Sequence, residues 1–319
     1  MKSNIPWIES PFFEDILASK DIGQDDRLMA KEYNDKGYLL LKNHIDPDTI
    51  DALIDELQPH FPDDIDSDPR RHQDFWKKSD LVKNLALNEE IFRILRMLYG
   101  REPIAFQTLN FKYGTEQFTH SDTIHFNCRP SGYMAGVWVA LEKIDENNGG
   151  LFYYPGSHKL PEYDYQQFGI PIEEGEYEEY GKYEDCIEEL TRSMNLNRTV
   201  VNMEKGDVFI WSANLLHGGL GVVERQRTRW SQVTHYYFEN CIYFTPMKSD
   251  MLSGELFLRE IPDIKTGNTI KSTCNGQPIS KFHTDKGRYL FSNAVPYGML
   301  ANTPLLDVVK ILWNRILKK

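Results

Sequence analysis

Apolar positions in the first hundred residues recur every three or four places, the period of a helix with one buried face. In 24–36 they are Leu28, Met29 and Tyr33. In 47–58 they are Ile50, Leu53, Ile54 and Leu57, behind Pro47 and Asp48 as an opening turn. In 88–99 the pattern runs from Asn88, a capping residue type, to Gly100, a stop signal. Between the first two helices, GYLLLKN at 37–43 is a short apolar run that reads as a strand. From about residue 103 the period changes. PIAFQTLNFKY, GYMAGVWVALEKI, GLFYYPGS, RTVVNMEKGDVFIW and TRWSQVTHYYF follow one another, rich in Val, Phe, Tyr and Trp and broken by Gly, Pro and Asn. No helix-length segment separates most of them. They predict an antiparallel sandwich, jelly roll or barrel rather than alternating βαβ units.

Two segments depart from this pattern. Residues 160–198 interrupt the strands, and nine acidic residues fall between Glu173 and Glu189. The plain reading is a solvated loop and helix; the sharper one is a lid over a cleft. The C-terminal TPLLDVVKILWNRILKK puts Leu305, Val309, Leu312, Trp313 and Ile316 on one side of an amphipathic helix that docks on the protein's own surface. Its Lys310, Arg315, Lys318 and Lys319 leave a membrane-surface or partner helix as the alternative.

Length and charge narrow the function. A chain of 319 residues, 40% hydrophobic, has material for one sizeable core. It reads as a single domain in three parts: a mainly helical 1–102, a β core over 103–245 carrying the 160–198 insertion, and an extension over 246–319. The 36 basic and 48 acidic residues give a net charge of −12, which disfavours nucleic acid and anionic membrane surfaces as partners. Cys128, Cys186, Cys241 and Cys274 show no C-x-x-C spacing, so a reduced, cytoplasmic setting is expected. The N-terminus lacks the pattern of a signal peptide, and no stretch approaches the ~18 apolar residues of a transmembrane segment.

The chemistry centres on THSDTIHF, 119–126. His120 and Asp122 are two apart on a predicted strand, so their side chains share a face. His217 follows about a hundred residues later in LLHGG, just after the strand DVFIW. Two imidazoles and one carboxylate can cap one face of an octahedral Fe(II), with the opposite face open to other ligands. An H-x-D pair alone arises often by chance. Its company gives it weight: Arg229 lies twelve residues past His217 on the next strand. A planar guanidinium fork grips a carboxylate through two parallel hydrogen bonds, as the far end of a bound keto acid requires. Arg227 lies on the same strand face and competes for that role.

The stretch from about 106 to 240 resembles the phytanoyl-CoA dioxygenase family. The resemblance is carried by His120-Ser121-Asp122 and by VWVALEKIDENNGGLFYYPGSHK at 137–159. The latter holds Trp138, an Asn148-Gly149 corner and a Pro155-Gly156-Ser157-His158 turn. MEKGDVFIWSANLLHGG at 203–219 and Arg229, with His235 at the family's spacing behind it, complete the pattern. The resemblance implies a mainly β chain with flanking helices around a double-stranded β-helix, a cupin-like jelly roll. It implies His120, Asp122 and His217 as ligands of Fe(II), Arg229 as the arginine for 2-oxoglutarate, and O2 as second cosubstrate. The loop from His217 to Arg229 is one residue longer than in typical members, which keeps Arg227 open. Trp138 matches an aromatic that packs on the cosubstrate, with plain core packing as the alternative. Lys112 matches a lysine that precedes the H-x-D in some relatives at a different spacing; it is either a cosubstrate contact or a solvent-facing side chain. His158 reads as structural in a turn that needs Gly156. His125 reads as either pocket-lining or a buried, satisfied histidine.

Family members that halogenate carry Gly or Ala where this chain has Asp122, so oxygen transfer is the implied outcome. Oxidative decarboxylation of 2-oxoglutarate to succinate would drive hydroxylation of a small metabolite. A coenzyme A thioester, a polyanion, is disfavoured by the acidic insertion. The competing class is a metal-binding jelly roll without oxygenase activity, whether isomerase, sensor or inactive interaction module. Such a protein would keep the histidines but has no need of Arg229.

Overall fold

A computed structural model of the chain describes residues 4–171, 178–252, 254, 256–274, 276–278, 281–283 and 289–291. The N-terminal part runs α1 (Phe13–Ser19), α2 (Gln24–Lys36), β1 (Tyr38–Leu41), α3 (Pro47–Leu57), β2 (Arg71–Gln73), α4 (Asp80–Ala86) and α5 (Glu89–Tyr99). Strands then take over with β3 (Pro103–Phe111), β4 (Asn127–Arg129), β5 (Met134–Ala140) and β6 (Leu151–Tyr153). After α6 (Glu178–Ser193) come β7 (Thr199–Val200), β8 (Val208–Ser212), β9 (His217–Gly219), β10 (Ser231–Phe238) and β11 (Ile242–Phe244).

The helices form where local signals and an apolar face agree. Asp46 caps α3 by accepting from the Thr49 N–H at 3.0 Å, Pro47 occupies its first turn, and Ile50, Leu53 and Leu57 are buried. Asn88 caps α5 by accepting from the N–H groups of Glu90 and Ile91, and Gly100 ends it in the left-handed region. This helix buries Ile91, Phe92, Ile94, Leu95, Leu98 and Tyr99, each worth about 1.5–3 kcal/mol in removal from water. The α2 helix lies where the spacing predicts, but its buried face is rotated. Leu28 is 56% exposed, while Ala30 and Tyr33 are buried. The Tyr33 hydroxyl bonds to that of Tyr99 at 2.7 Å, and this cross-helix contact sets the face.

Six strands form an antiparallel sheet in the order β1-β8-β5-β10-β3-β2. A second, three-stranded sheet runs β7-β6-β9, and β4 pairs with β11. The run predicted as one strand over 198–211 is two, β7 and β8, divided by a turn in which the Asp207 N–H bonds to the Glu204 carbonyl. One face of the large sheet packs on the N-terminal helices through Ile91, Phe92, Leu95, Leu98, Tyr236 and Phe238. Its other face looks toward the small sheet, and Trp138, Tyr153, Phe209, Trp211 and Leu215 join the two in a second cluster. This is the predicted jelly roll with flanking helices.

The insertion is folded rather than solvated throughout. Along α6, Tyr183 and Ile187 are four apart and buried against Phe152, Tyr154, Tyr165 and Met247, which covers the outside of the small sheet. Residues 172–177 of the acidic stretch and the predicted C-terminal helix lie outside the described residues. No described helix is long and apolar enough to cross a membrane.

Candidate metal centre

His120 pairs with His217 through an isolated antiparallel bridge, the His120 N–H bonding to the His217 carbonyl at 2.9 Å and the reverse at 3.0 Å. The predicted strand through 119–126 does not form: Asp122 instead opens a 3-10 turn, Asp122–Ile124. Only Ser121 between the two ligands needs to be extended for their side chains to share a face, and it is, at φ −111 and ψ 139. The expected convergence therefore survives the loss of the strand. The Nε2 atoms of His120 and His217 each stand 4.0 Å from Asp122 Oδ1, and one ligand atom from each of the three lies within 4.8 Å of the others.

Each side chain is held from behind. The Nδ1–H of His120 donates to the Phe118 carbonyl at 2.8 Å, and that of His217 donates to the Leu215 carbonyl at 2.9 Å. Both Nε2 lone pairs are thus directed at the centre. The Trp211 indole N–H donates to Asp122 Oδ2 at 2.8 Å and leaves Oδ1 facing the histidines. Trp211 reaches Asp122 because Gly136 on the neighbouring strand has no side chain; a Cβ there would sit 2.1 Å from the indole ring. Burial pushes His120 down to about 3, with the charge of His217 adding to it, so its imidazole is neutral at physiological pH. Burial acts to raise the Asp122 carboxyl, but His217, His235, His120 and the Trp211 hydrogen bond outweigh it and hold the group below the usual carboxylate range.

The neutral His120 imidazole and the ionised Asp122 carboxylate are in the protonation states that metal binding needs. Cis ligands at about 2.1 Å from a metal stand roughly 3 Å apart, so inward rotation of each side chain by under about an ångström closes the set. The Gln117 side-chain amide, 3.2 Å from His120 Nε2, would have to withdraw. The residues fit a mid-sized divalent metal with two nitrogens and one oxygen. His235 stands behind them, its Nε2 4.0 Å from Asp122 Oδ2 and its Nδ1 3.0 Å from Gln107 Oε1.

The three residues open into a cavity of about 690 Å³ between the sheets. Arg229 lines it too. The strand alternation of β10 extends backward, placing Arg229, Ser231, Val233 and His235 inward and Trp230, Gln232 and Thr234 outward. The buried Arg229 guanidinium donates to Ser231 Oγ at 3.2 Å and to the Tyr113 carbonyl at 3.3 Å, while its Nε has no hydrogen-bond partner. Burial pushes it down to about 10, opposed by Glu142, so it stays cationic. Among the described residues no carboxylate forms an ion pair with it. An isolated buried charge costs several kcal/mol unless an anion joins it.

The competing arginine is elsewhere. The chain turns at 224–227, and Arg227 is spent on Asp145 at 3.0 Å and Glu224 at 2.9 Å, outside the cavity. Lys112, expected at the cosubstrate or facing solvent, is neither in the cavity nor solvent-facing. It continues β3 on the outward side, and its buried Nζ donates to Asp63 at 2.7 Å and the Pro62 carbonyl at 2.9 Å. Trp138 lies on the cavity wall with its ring 5.4 Å from the Arg229 guanidinium and its indole N–H unpartnered. His125 lines the cavity beside Tyr180, their rings 5.0 Å apart. His158 lies away from it, in a turn where Gly156 has φ +81, with its Nε2 3.1 Å from the Asn34 carbonyl. Sequence reasoning did not find the lining residues Arg71 and Gln73 from β2, Arg259, Trp211, or Tyr180 and Glu184 of α6. Only the i, i+4 spacing of the last two signalled a shared face.

Comparison with known proteins adds a lineage to this geometry. The family model described as phytanoyl-CoA dioxygenase matches residues 33–227, which include His120, Asp122 and His217 and end just short of Arg229. The peroxisomal phytanoyl-CoA dioxygenase of Bos taurus is 30% identical over 203 residues, 60% of this chain and 55% of that protein. The match thus spans little more than half of the bovine relative. The corresponding protein of Rattus norvegicus is 25% identical over 264 residues, 73% of this chain and 74% of its own length. Among solved structures, the non-heme alpha-ketoglutarate-dependent epimerase SnoN from nogalamycin biosynthesis shares the fold. Its TM-score is 0.56 at 19% identity, over 84% of this chain and 98% of that one.

Proposed function

The chain belongs to the phytanoyl-CoA dioxygenase family, and on that premise we propose that it is an Fe(II)- and 2-oxoglutarate-dependent oxygenase. It hydroxylates a C–H bond of a small organic substrate and releases succinate and CO2. The observation that carries this reading is a pairing within one cavity: a convergent His-Asp-His set, and a buried guanidinium with no carboxylate partner among the described residues. A structural metal site needs only the first. A site for a metal-chelating dicarboxylate needs both.

In this assignment His120 and His217 donate their Nε2 atoms and Asp122 its Oδ1. The backbone carbonyls of Phe118 and Leu215 hold the imidazoles in the required tautomer, and Trp211 orients the carboxylate. Arg229, steadied by Ser231 and the Tyr113 carbonyl, receives the distal carboxylate of 2-oxoglutarate, and Trp138 packs along its carbon chain. When bound, the metal would let O2 act as the oxidant, with 2-oxoglutarate and the substrate each giving up two electrons; the chain supplies position, a desolvated wall and charge balance.

Purified protein given Fe(II), ascorbate, 2-oxoglutarate and air is expected to release succinate slowly even without substrate. Release should stop when either oxygen or metal is withdrawn. Tight metal binding with no succinate at any cosubstrate concentration would instead support a metal-binding jelly roll of another activity.

A further inference from the structure

The cavity wall carries cations that the metal and cosubstrate do not use. β2 is the edge strand of the large sheet, where Arg71 pairs with Phe111 and Gln73 with Leu109, so both extend the wall to the cavity mouth. Arg71 is exposed there, and among the described residues it has no carboxylate partner. Arg259 enters from the segment after β11. Its guanidinium lies 4.7 Å from the Phe126 ring and donates to Thr245 Oγ1 at 3.0 Å and the His125 carbonyl at 3.4 Å. Its Nε is buried without a hydrogen-bond partner, and no described carboxylate pairs with it either. The group is braced in one orientation but not neutralised by a described carboxylate.

This second guanidinium lies near the chemistry. The Phe126 ring under Arg259 is 4.9 Å from the His235 ring, and His235 is 4.0 Å from Asp122. Arg71 and Arg259 line the same cavity, together with His125 and His235.

We propose that the substrate carries a carboxylate or phosphate group bound by Arg259 and Arg71, with an apolar body lying along Phe118, Phe126, Met247 and Phe257. The proposal rests on the oxygenase reading and specifies its substrate class. Charge balance supports it. A divalent metal and Arg229 are matched by Asp122 and a doubly charged 2-oxoglutarate. That leaves Arg71, Lys248 and Arg259 on the wall against Glu116 and Glu184. Burial pushes Glu184 up to about 7, with Asp185 and Glu188 adding to it, so it offsets less than a full charge. The acidic stretch thus contributes one lining carboxylate among the described residues, and the wall selects for anions rather than against them. Because Arg259 lies within two rings of Asp122, the anionic group is itself close to the reacting carbon. A coenzyme A thioester, whose phosphates lie far from its acyl chain, does not meet that requirement.

The test uses the full-length protein loaded anaerobically with Fe(II) and 2-oxoglutarate, whose chelate gives a visible charge-transfer band. Octanoate, phenylacetate and benzyl phosphate are titrated beside octanamide, phenylacetamide and benzyl alcohol, with binding read by calorimetry and by shift of the band. At least one anion should bind roughly tenfold or more tighter than its neutral counterpart, as a charge-assisted pair warrants. The carboxylate and phosphate arms identify which group the site takes. Arg259→Gln should abolish the preference and Arg71→Gln should reduce it several-fold, both with the band retained. Arg71 is exposed, so its variant reads the effect without a folding defect. Equal binding of anions and neutral counterparts, an undiminished preference in both variants, or anions that merely displace 2-oxoglutarate and erase the band would overturn the proposal. A wild-type band that never forms contradicts the oxygenase reading instead; the calorimetric preference still tests the arginine pair.

Discussion

On the outer face of the large sheet, Gln232 donates to the Val82 carbonyl at 3.1 Å and accepts from Asn110 at 3.0 Å, and the Tyr236 hydroxyl donates to the Ala86 carbonyl at 2.8 Å. The atoms left unpaired on that side, Thr108 Oγ1 and Asn110 Oδ1, are neutral. On the inner face, one residue away along the same strands, Arg229 is a buried charge without an ion pair among the described residues and Trp138 keeps an unpartnered N–H. The Asp122 and histidine atoms stop 4.0 Å apart. The two faces share backbone, register and burial. They differ in whether their polar groups are satisfied by protein. The outer face is finished by its own helices, whereas the inner face is built to be finished by a ligand.

Substitutions on the two faces should therefore separate stability from binding. Asp122→Ala should have the largest effect, lowering Fe(II) affinity by at least about a hundredfold and abolishing succinate release, with folded secondary structure kept in circular dichroism. Arg229→Gln should raise the apparent KM for 2-oxoglutarate roughly 10- to 100-fold. It should also leave the melting temperature of the ligand-free protein unchanged or higher, since an unpaired buried charge is removed. Arg227→Ala should leave that KM alone. Trp211→Phe keeps the ring but loses the N–H to Asp122, and metal affinity measured by competition with a chelator should fall about 10-fold. On the outer face, Tyr236→Phe should cost about 1–2 kcal/mol in denaturant unfolding and leave metal and cosubstrate constants untouched.

The smallest effect concerns Glu9, which accepts from Ser212 Oγ at 2.6 Å at the N-terminal edge of the packing. Burial pushes its carboxyl up to about 7 against the Ser212 hydrogen bond. A carboxyl raised in the folded state stabilises it fully below the ordinary pKa, near 4.5, and loses that contribution as pH rises through about 7. Glu9→Gln should therefore be more stable than the native chain at pH 8 and equal to it near pH 4, in unfolding curves taken across that range.

The legible parts of the molecule were those with a local period or a short motif. Helices α3 and α5 follow from their caps and apolar faces, and β3, β5 and β10 from their Val- and aromatic-rich runs. His120 and Asp122 could be paired because one extended residue suffices to align them, even without a strand. In the sequence the spacing to His235 favours Arg229, but Arg227 stays open beside it. Both fit a period of two, and what divides them is the turn at 224–227 with its partner Asp145, distant in sequence. Lys112 failed for a similar reason: its partner Asp63 belongs to a different part of the chain. Arg71 and Arg259 were illegible because an edge strand of three residues and an irregular segment carry no periodic signal, and the sheet alone brings them to the cavity. The acidic run was read as charge, and its burial through Tyr183 and Ile187 was hidden by the glutamates between them.

On the proposed function, the inner face awaits one metal and one dicarboxylate. A crystal structure of the protein with Mn(II) and 2-oxoglutarate, prepared without oxygen, tests it most directly. A single ion is expected about 2.0–2.3 Å from His120 Nε2, Asp122 Oδ1 and His217 Nε2. The distal carboxylate of 2-oxoglutarate should lie on the Arg229 guanidinium and its chain against Trp138. An ion bound elsewhere, or a cosubstrate carboxylate seated on Arg71 or Arg259 with Arg229 still unpaired, would contradict it.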